Sequence, residues 1–294
     1  EIDDSTFSDP VPLEAVDDIV SMAVGDLDGD GKDDLIVGLD VASKTTDSVI
    51  MIFRNTGAYG SANFAESDSI TLSTSGARGD VLNVASYNID SDVNGYDDIV
   101  LATEDGDLII LRSPGTFDSD DWQGTGNHKR IGIDHVKQIY ALDIGNLEGT
   151  SDKDIVVGVD TSLTTNLRAY EHPGTSPFGA GAWPSIFTRD SSSDIMAVTI
   201  GDFNNDGNAD VAHVHQLAYR IGFMQNDGGA WTAEGVVTLS DTDFVIGELI
   251  SFDLDGTTGL DIVVTSSVTS SVDYEVRYLK NDGTEDDIHG DYTE

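Results

Sequence analysis

The stretch Asp26-Leu27-Asp28-Gly29-Asp30-Gly31-Lys32-Asp33-Asp34 puts oxygen donors at alternate positions along a short loop. The side chains of Asp26, Asp28, Asp30 and Asp34 and the backbone carbonyl of Lys32 could surround one hard cation. Calcium takes roughly six to eight such oxygens, and Gly31 permits the sharp turn a short loop needs. The same pattern recurs. Asp202, Asn204, Asp206, the Asn208 carbonyl and Asp210 match it with Gly207 at the turn, and Asp90, Asp92, Asn94, the Tyr96 carbonyl and Asp98 match it with Gly95. A fourth copy keeps Asp253, Asp255 and Asp261, but Thr257 and Thr258 replace a carboxylate and the glycine. The poorest copy is Asn146, Glu148, Thr150, the Asp152 carbonyl and Asp154, with Ser151 in place of the glycine, and Asp143 is a further donor only if the loop is rebuilt around its extra residues.

An acidic chain produces Asp-x-Asp by composition alone, and one such stretch would read as a solvated turn. Three complete copies, each followed at one offset by an apolar strand, favour a metal role instead. Roughly two to four calcium ions are expected, tying strand connections together and neutralising carboxylates that would otherwise repel.

The elements that must hold these loops also repeat. The carboxylates before each strand, Asp34, Asp98, Asp154, Asp210 and Asp261, are separated by 64, 56, 56 and 51 residues. Downstream of each comes a turn: Arg54–Gly57, Arg112–Gly115, Glu171–Gly174, Gln225–Gly228 and Lys280–Gly283. In four units an aromatic follows: Phe64, Trp122, Trp183 and Trp231. Each unit reads as four short strands with very little helix. In the first they are Ile19–Val24, Leu35–Leu39, Val49–Phe53 and Ile70–Ser73.

Four-stranded units at this period predict an all-β chain, a β-propeller of four-stranded antiparallel blades, because one unit cannot bury its own apolar face. Five blades are expected in a single domain over 1–294, near 15–75, 76–133, 134–190, 191–241 and 242–294 plus 5–14. The fifth unit lacks an obvious outer strand. The N-terminal segment Phe7–Leu13 could supply it and close the ring. The tail around Ile288 is a competing source, and five blades of a longer ring is a third reading.

These residues resemble the FG-GAP or VCBS-type repeat, the blade of integrin-α-like propellers. The resemblance implies that the acidic loop joins a blade's first two strands and binds calcium on one rim. It carries over well to 26–34, 90–98 and 202–210, less well to 253–261, and poorly to 146–154. Integrin-type rings have seven blades, so the blade number departs from that family.

The formal net charge is −41, from 55 acidic and 14 basic residues. Four calcium ions would leave about −33, so most of the acidity lies on the surface. Such a field argues against nucleic-acid partners and anionic-membrane binding, which need basic patches. Acidity with only six lysines resembles proteins of salt-loving or marine organisms. There is no cysteine, which removes disulfides, thiolate metal sites and cysteine nucleophiles. No apolar run approaches about 18 residues, so no membrane span is expected, and no basic-plus-apolar leader is visible.

Signatures of nucleophile elbows, zinc proteases, P-loops and dinucleotide folds are missing. His213 and His215 share one strand face, where a packing role outweighs a metal pair. The recurring aromatics read as inter-blade packing ahead of sugar stacking. The sequence therefore points to an extracellular or cell-surface, calcium-stabilised, non-catalytic binding or adhesion module. Its protein or glycan partner would meet the rim opposite the calcium loops (40–48, 103–107, 160–166, 215–219 and 266–273). The alternatives are a self-associating subunit of a surface layer or filament, and an enzyme acting on polysaccharide.

Overall fold

The computed structural model describes residues 18–40, 48–57, 64–71, 79–90, 95–122, 124, 126–133, 136–161, 165–174, 177–179, 182–190, 193–215, 220–239, 244–254, 256, 259–268, 274–281 and 292–293. Blade 1 is β1 (Ile19–Gly25), β2 (Asp34–Leu39), β3 (Val49–Asn55) and β4 (Phe64–Thr71). Blade 2 is β5 (Val81–Tyr87), β6 (Asp98–Thr103), β7 (Leu108–Leu111) and β8 (His128–Ile131). Blade 3 is β9 (Val136–Gly145), β10 (Asp154–Thr161), β11 (Thr165–Tyr170) and β12 (Ser185–Asp190). Blade 4 is β13 (Ile195–Gly201), β14 (Asp210–His215), β15 (Arg220–Asp227) and β16 (Ala230–Thr238). Blade 5 is β17 (Phe244–Phe252), β18 (Asp261–Val268), β19 (Tyr274–Asn281) and β20 (Tyr292–Thr293). One helical turn, α1 (Ser119–Trp122), is the helix among the described residues.

Every sheet is an antiparallel meander in chain order, and together the five make a five-bladed β-propeller. The inner strands pack in succession: β1 on β5, β5 on β9, β9 on β13 and β13 on β17. The second strands are apolar on both faces and deeply buried, as β2 (DLIVGL) and β6 (DIVLAT) illustrate. A blade packs on both sides, so alternation is lost there and near-continuous Ile/Val/Leu runs result.

The core divides by seam. Leu27, Ile36 and Ile52 of blade 1 cluster with Val84, Ile99 and Trp122 of blade 2. Equivalent clusters join blades 2 and 3, 3 and 4, and 4 and 5. A smaller cluster of Val37, Leu39, Met51 and Phe53 belongs to blade 1. Trp122 and Trp183 are buried in these seams, their indole N–H groups donating to the Thr116 and Pro177 carbonyls. Trp231 stacks on Phe187 with centroids 4.6 Å apart. These three aromatics are packing elements; the Phe64 side chain lies outside the described residues.

The strand beside β19 comes from the tail. Tyr292 and Thr293 pair with Asn281 and Lys280. The N-terminal segment, expected in that place, lies outside the described residues. At the described pairs the tail takes the edge, and closing a loop of about a dozen residues costs far less entropy than recruiting the opposite end of the chain. On the rim opposite the loops, only the 103–107 hairpin is wholly described, with the Asp107 N–H donating to Thr103 Oγ1 and Arg130 pairing with Asp107.

Candidate metal centre on the loop rim

Each acidic loop is clasped by the aspartate that opens the second strand. Asp34 accepts the Leu27 N–H on one carboxylate oxygen and the Asn55 N–H on the other, at 3.2 and 2.8 Å. Asp98 does the same with Ile89 and Ser113, Asp154 with Leu147 and His172, Asp210 with Phe203 and Asn226, and Asp261 with Leu254 and Asn281. All five are buried. One side chain thus ties the loop to the turn after the third strand, so the acidic loops and the turn markers share a rim, as the sequence implied. Burial pushes Asp34 up to about 6, and Asp98 and Asp210 up to about 7, with nearby loop carboxylates adding to the shift. These are carboxylates in want of a positive charge.

Loop 1 supplies a convergent donor set. Carboxylate oxygens of Asp26, Asp28 and Asp34 lie within 4.8 Å of one another. The loop is wound by its own side chains: Asp26 accepts the Asp30 and Gly31 N–H groups, Asp28 accepts the Asp30 N–H, and Asp30 accepts the Lys32 N–H. Gly31 sits at φ 80°, a left-handed conformation that a side chain would strain. Loop 4 repeats this winding bond for bond. Asp202 accepts from Asp206 and Gly207, Asn204 from Asp206, and Asp206 from Asn208, with Gly207 at φ 88°. Hard oxygen donors wound about a point fit a calcium-sized cation.

The remaining candidates are placed less completely. In loop 1 the Asp30 carboxylate meets the Lys32 ammonium at 2.5 Å, and this bond holds its pKa below the usual value. In loop 2, Asp90 and Asp98 are described and Tyr96 flanks the clasp, while Asp92 and Asn94 lie outside the described residues. In loop 5, Asp253 accepts the Gly256 N–H at 2.7 Å, Asp261 is the clasp, and Asp255 lies outside the described residues. Asp143 turns away from loop 3. It accepts the Ile144 and Ile200 N–H groups and so joins blade 3 to blade 4. Its place in β9 aims it at the next blade's inner strand, so loop 3 is not rebuilt around it.

Two residues escaped the sequence reading. Arg54 opens the first turn marker and lies 2.6 Å from Asp28, and Arg112 opens the second and lies 2.7 Å from Asp90. Each guanidinium also sits over an aromatic of the following blade, Phe117 at 5.3 Å or Phe178 at 5.8 Å. The signal was a basic residue at the head of only some turns. In unit 3 that position is Glu171, which adds a charge instead of cancelling one.

Loop 3 is accordingly different. Glu148, Asp152, Asp154, Glu171 and His172 line a recess of roughly 570 Å³. Burial, then the Glu171 and Asp154 charges, raises the Glu148 pKa. His172 Nδ1 accepts the Gly174 N–H, and its ring stands edge-on to Trp183 at 5.2 Å. His213 and His215 lie 5.0 Å apart on β14. Burial drives the His213 pKa down to about 3, which marks a neutral packing ring.

No helix among the described residues is long and apolar enough to cross a membrane. No family model matches the chain, and no curated protein matches it in sequence. Solved structures do match in shape. Rhamnogalacturonan lyase YesW aligns with a TM-score of 0.54 and 16% identity, over 96% of this chain and 53% of its own. The Vibrio cholerae biofilm matrix protein Bap1 aligns at 0.51 and 16%, over 90% and 38%. A putative 6-phosphogluconolactonase from Bacteroides uniformis aligns at 0.50 and 13%, over 92% and 74%. This chain spans about half the length of the first of these. What it shares with them at such identities is the propeller fold.

Proposed function

We propose that this chain is an extracellular, calcium-stabilised propeller of the FG-GAP or VCBS type that acts as a non-catalytic binding or adhesion module. The observation that carries the reading is the convergence of Asp26, Asp28 and Asp34, repeated in the winding of the Asp202–Asp210 loop. A bound ion would neutralise clustered carboxylates and lock a loop to its clasp, which is a structural task. The partner is a protein or glycan at the rim opposite the loops. Bap1, one of the fold neighbours, is a biofilm matrix protein, which suits this setting. The surface charge fits a salty medium, where screening contracts to about 3 Å at 1 M salt.

The test is a thermal melt with calcium and then with chelator. The midpoint is expected to fall by more than about 10 °C on chelation, with magnesium a poor substitute because it demands a tighter octahedral cage. An unchanged midpoint overturns the metal reading.

The Glu148–Glu171 recess favours a second reading, an enzyme acting on polysaccharide, since a carboxyl such as Glu148, its pKa raised by burial and by a neighbouring carboxylate, is what general acid chemistry uses. One of the fold neighbours, YesW, is a rhamnogalacturonan lyase. Turnover of any acidic or neutral glycan that Glu148→Gln abolishes would favour this reading over the first.

A further inference from the structure

The seam between blades 3 and 4 gathers cations that the rest of the chain pairs with acids. Four of the described arginines rest on carboxylates: Arg54 on Asp28, Arg112 on Asp90, Arg130 on Asp107 and Arg277 on Glu275. Arg189 and Arg220 are exposed and have no ion pair among the described residues, in a chain with 55 acidic side chains. Register puts both on one seam. Arg189 lies on β12 opposite Leu167 and two residues beyond Phe187, and Leu167 and Phe187 pack against blade 4. On β14, Val211 packs against blade 3, so His213 and His215 face the same way. His213 lies opposite Gly222, so Arg220 shares that face beside His215. Both β12 and β14 run away from the loop rim. The cluster therefore sits at the far end of the seam, next to the 215–219 segment of the expected partner rim.

The imidazoles between the arginines are neutral. Burial, then the Arg189 and Arg220 charges, lowers the His215 pKa, and burial is likewise the main cause of the fall at His213. Ser193 Oγ lies 3.3 Å from His215 Nδ1, and the two histidine rings are 5.0 Å apart. His213 is 4% exposed, yet its Nδ1 has no hydrogen-bond partner among the described residues. A buried polar nitrogen ordinarily meets one, so the seam is incomplete at this point. Asp194 follows Ser193 but is engaged elsewhere, accepting the Asn166 side-chain N–H at 3.0 Å. Two guanidiniums brought to one seam from its two sides repel, so packing gives no reason to keep them there.

We propose that this end of the seam is a subsite for the carboxylate of a uronic-acid sugar, with Arg189 closing on it from blade 3 and Arg220 from blade 4. The planar guanidinium fork matches a carboxylate. Ser193 and the neutral His215 ring offer donors and acceptors without charge, which suit the sugar hydroxyls beside the carboxylate. The −41 field penalises every further negative charge on a ligand. A sugar carrying one acid group is therefore favoured over a peptide carrying several. The subsite rests on the reading of the chain as a binding module whose partner meets the rim opposite the loops, and it gives that partner a chemistry.

Methyl glucuronide titrated into the isotope-labelled chain in saturating calcium, with the histidine ring signals followed by NMR, tests this. The His215 signals should shift saturably. Arg189→Gln and Arg220→Gln change exposed side chains, so each should keep the wild-type melt while weakening binding about tenfold, the loss of one charged hydrogen bond. Arg220→Lys should recover only part of that loss, because an ammonium lacks the fork. The methyl ester of the same sugar should also bind about tenfold more weakly. Binding that survives both arginine variants, or that the ester retains, puts the sugar elsewhere, as on the loop calcium, and overturns the subsite. Acetate or an acidic peptide bound as tightly as the uronide overturns the sugar contacts. No binding by a protein whose calcium-dependent melt is intact overturns the subsite alone. Turnover of the bound uronide supports the subsite and overturns the non-catalytic reading.

Discussion

Arg54 holds Asp28 at 2.6 Å, at the point where Asp26, Asp28 and Asp34 converge. The guanidinium supplies in part the positive charge that a bound ion would supply in full. Two unit positive charges about 4 Å apart repel by about 1 kcal/mol even when screened as in bulk water. Arg54→Ala should therefore tighten calcium binding at loop 1 about fivefold, while lowering the melting midpoint of the metal-free protein. Calorimetric titration of the variant against wild type checks this, and weaker binding in the variant would refute it.

Asp210 illustrates the clasp without a neighbouring arginine. Its two oxygens hold the Phe203 and Asn226 N–H groups, which are buried with it. Asp210→Asn turns one acceptor into a donor pointing at an N–H, and leaving a buried donor unmet costs about 1–3 kcal/mol. Urea unfolding in chelator should show a loss of that size. Asp202→Asn, on the exposed part of the same loop, should lose much less under those conditions.

The buried clasps also set a pH dependence. Their folded pKa values, about 6 for Asp34 and about 7 for Asp98 and Asp210, lie above the 3.8 of the free side chain. The folded state therefore holds protons that the unfolded state has released. Their stabilising contribution is full below pH about 4 and disappears as pH rises through 7. His213, held down to about 3, acts oppositely: it removes stability as pH falls below its ordinary 6.5. The carboxylates outnumber it, so melts of the metal-free protein should fall between pH 5 and 8, and saturating calcium should flatten the slope. A metal-free midpoint that rises over this range would contradict the assignment.

Gly222 makes room for His213. A Cβ there would lie 2.6 Å from the imidazole Nε2. Overpacking of this kind costs about 1–3 kcal/mol, so Gly222→Ala should destabilise by that amount. Proton NMR of wild type should find the His213 ring neutral at pH 5, and a titration near 6.5 would show that the ring is not buried as described.

Local pattern carried much of the outcome. The clasp aspartates, the turn markers and the near-continuous apolar second strands repeat within each unit, so five blades of four strands were legible without coordinates. The calcium-type spacing was legible for the same reason, since a loop's donors are set by positions a few residues apart. What the chain alone could not reveal depends on which faces meet. Asp34 reaches Asn55 across 21 residues. Asp143 crosses to Ile200 in the next blade, and Arg54 swings back over a loop that precedes it by more than a strand. Nor does alternation say that Val84 will pack against blade 1 and Leu249 against blade 4. An apolar residue looks the same in sequence on either face of its blade, and only the stacking of whole sheets decided which neighbour covers it.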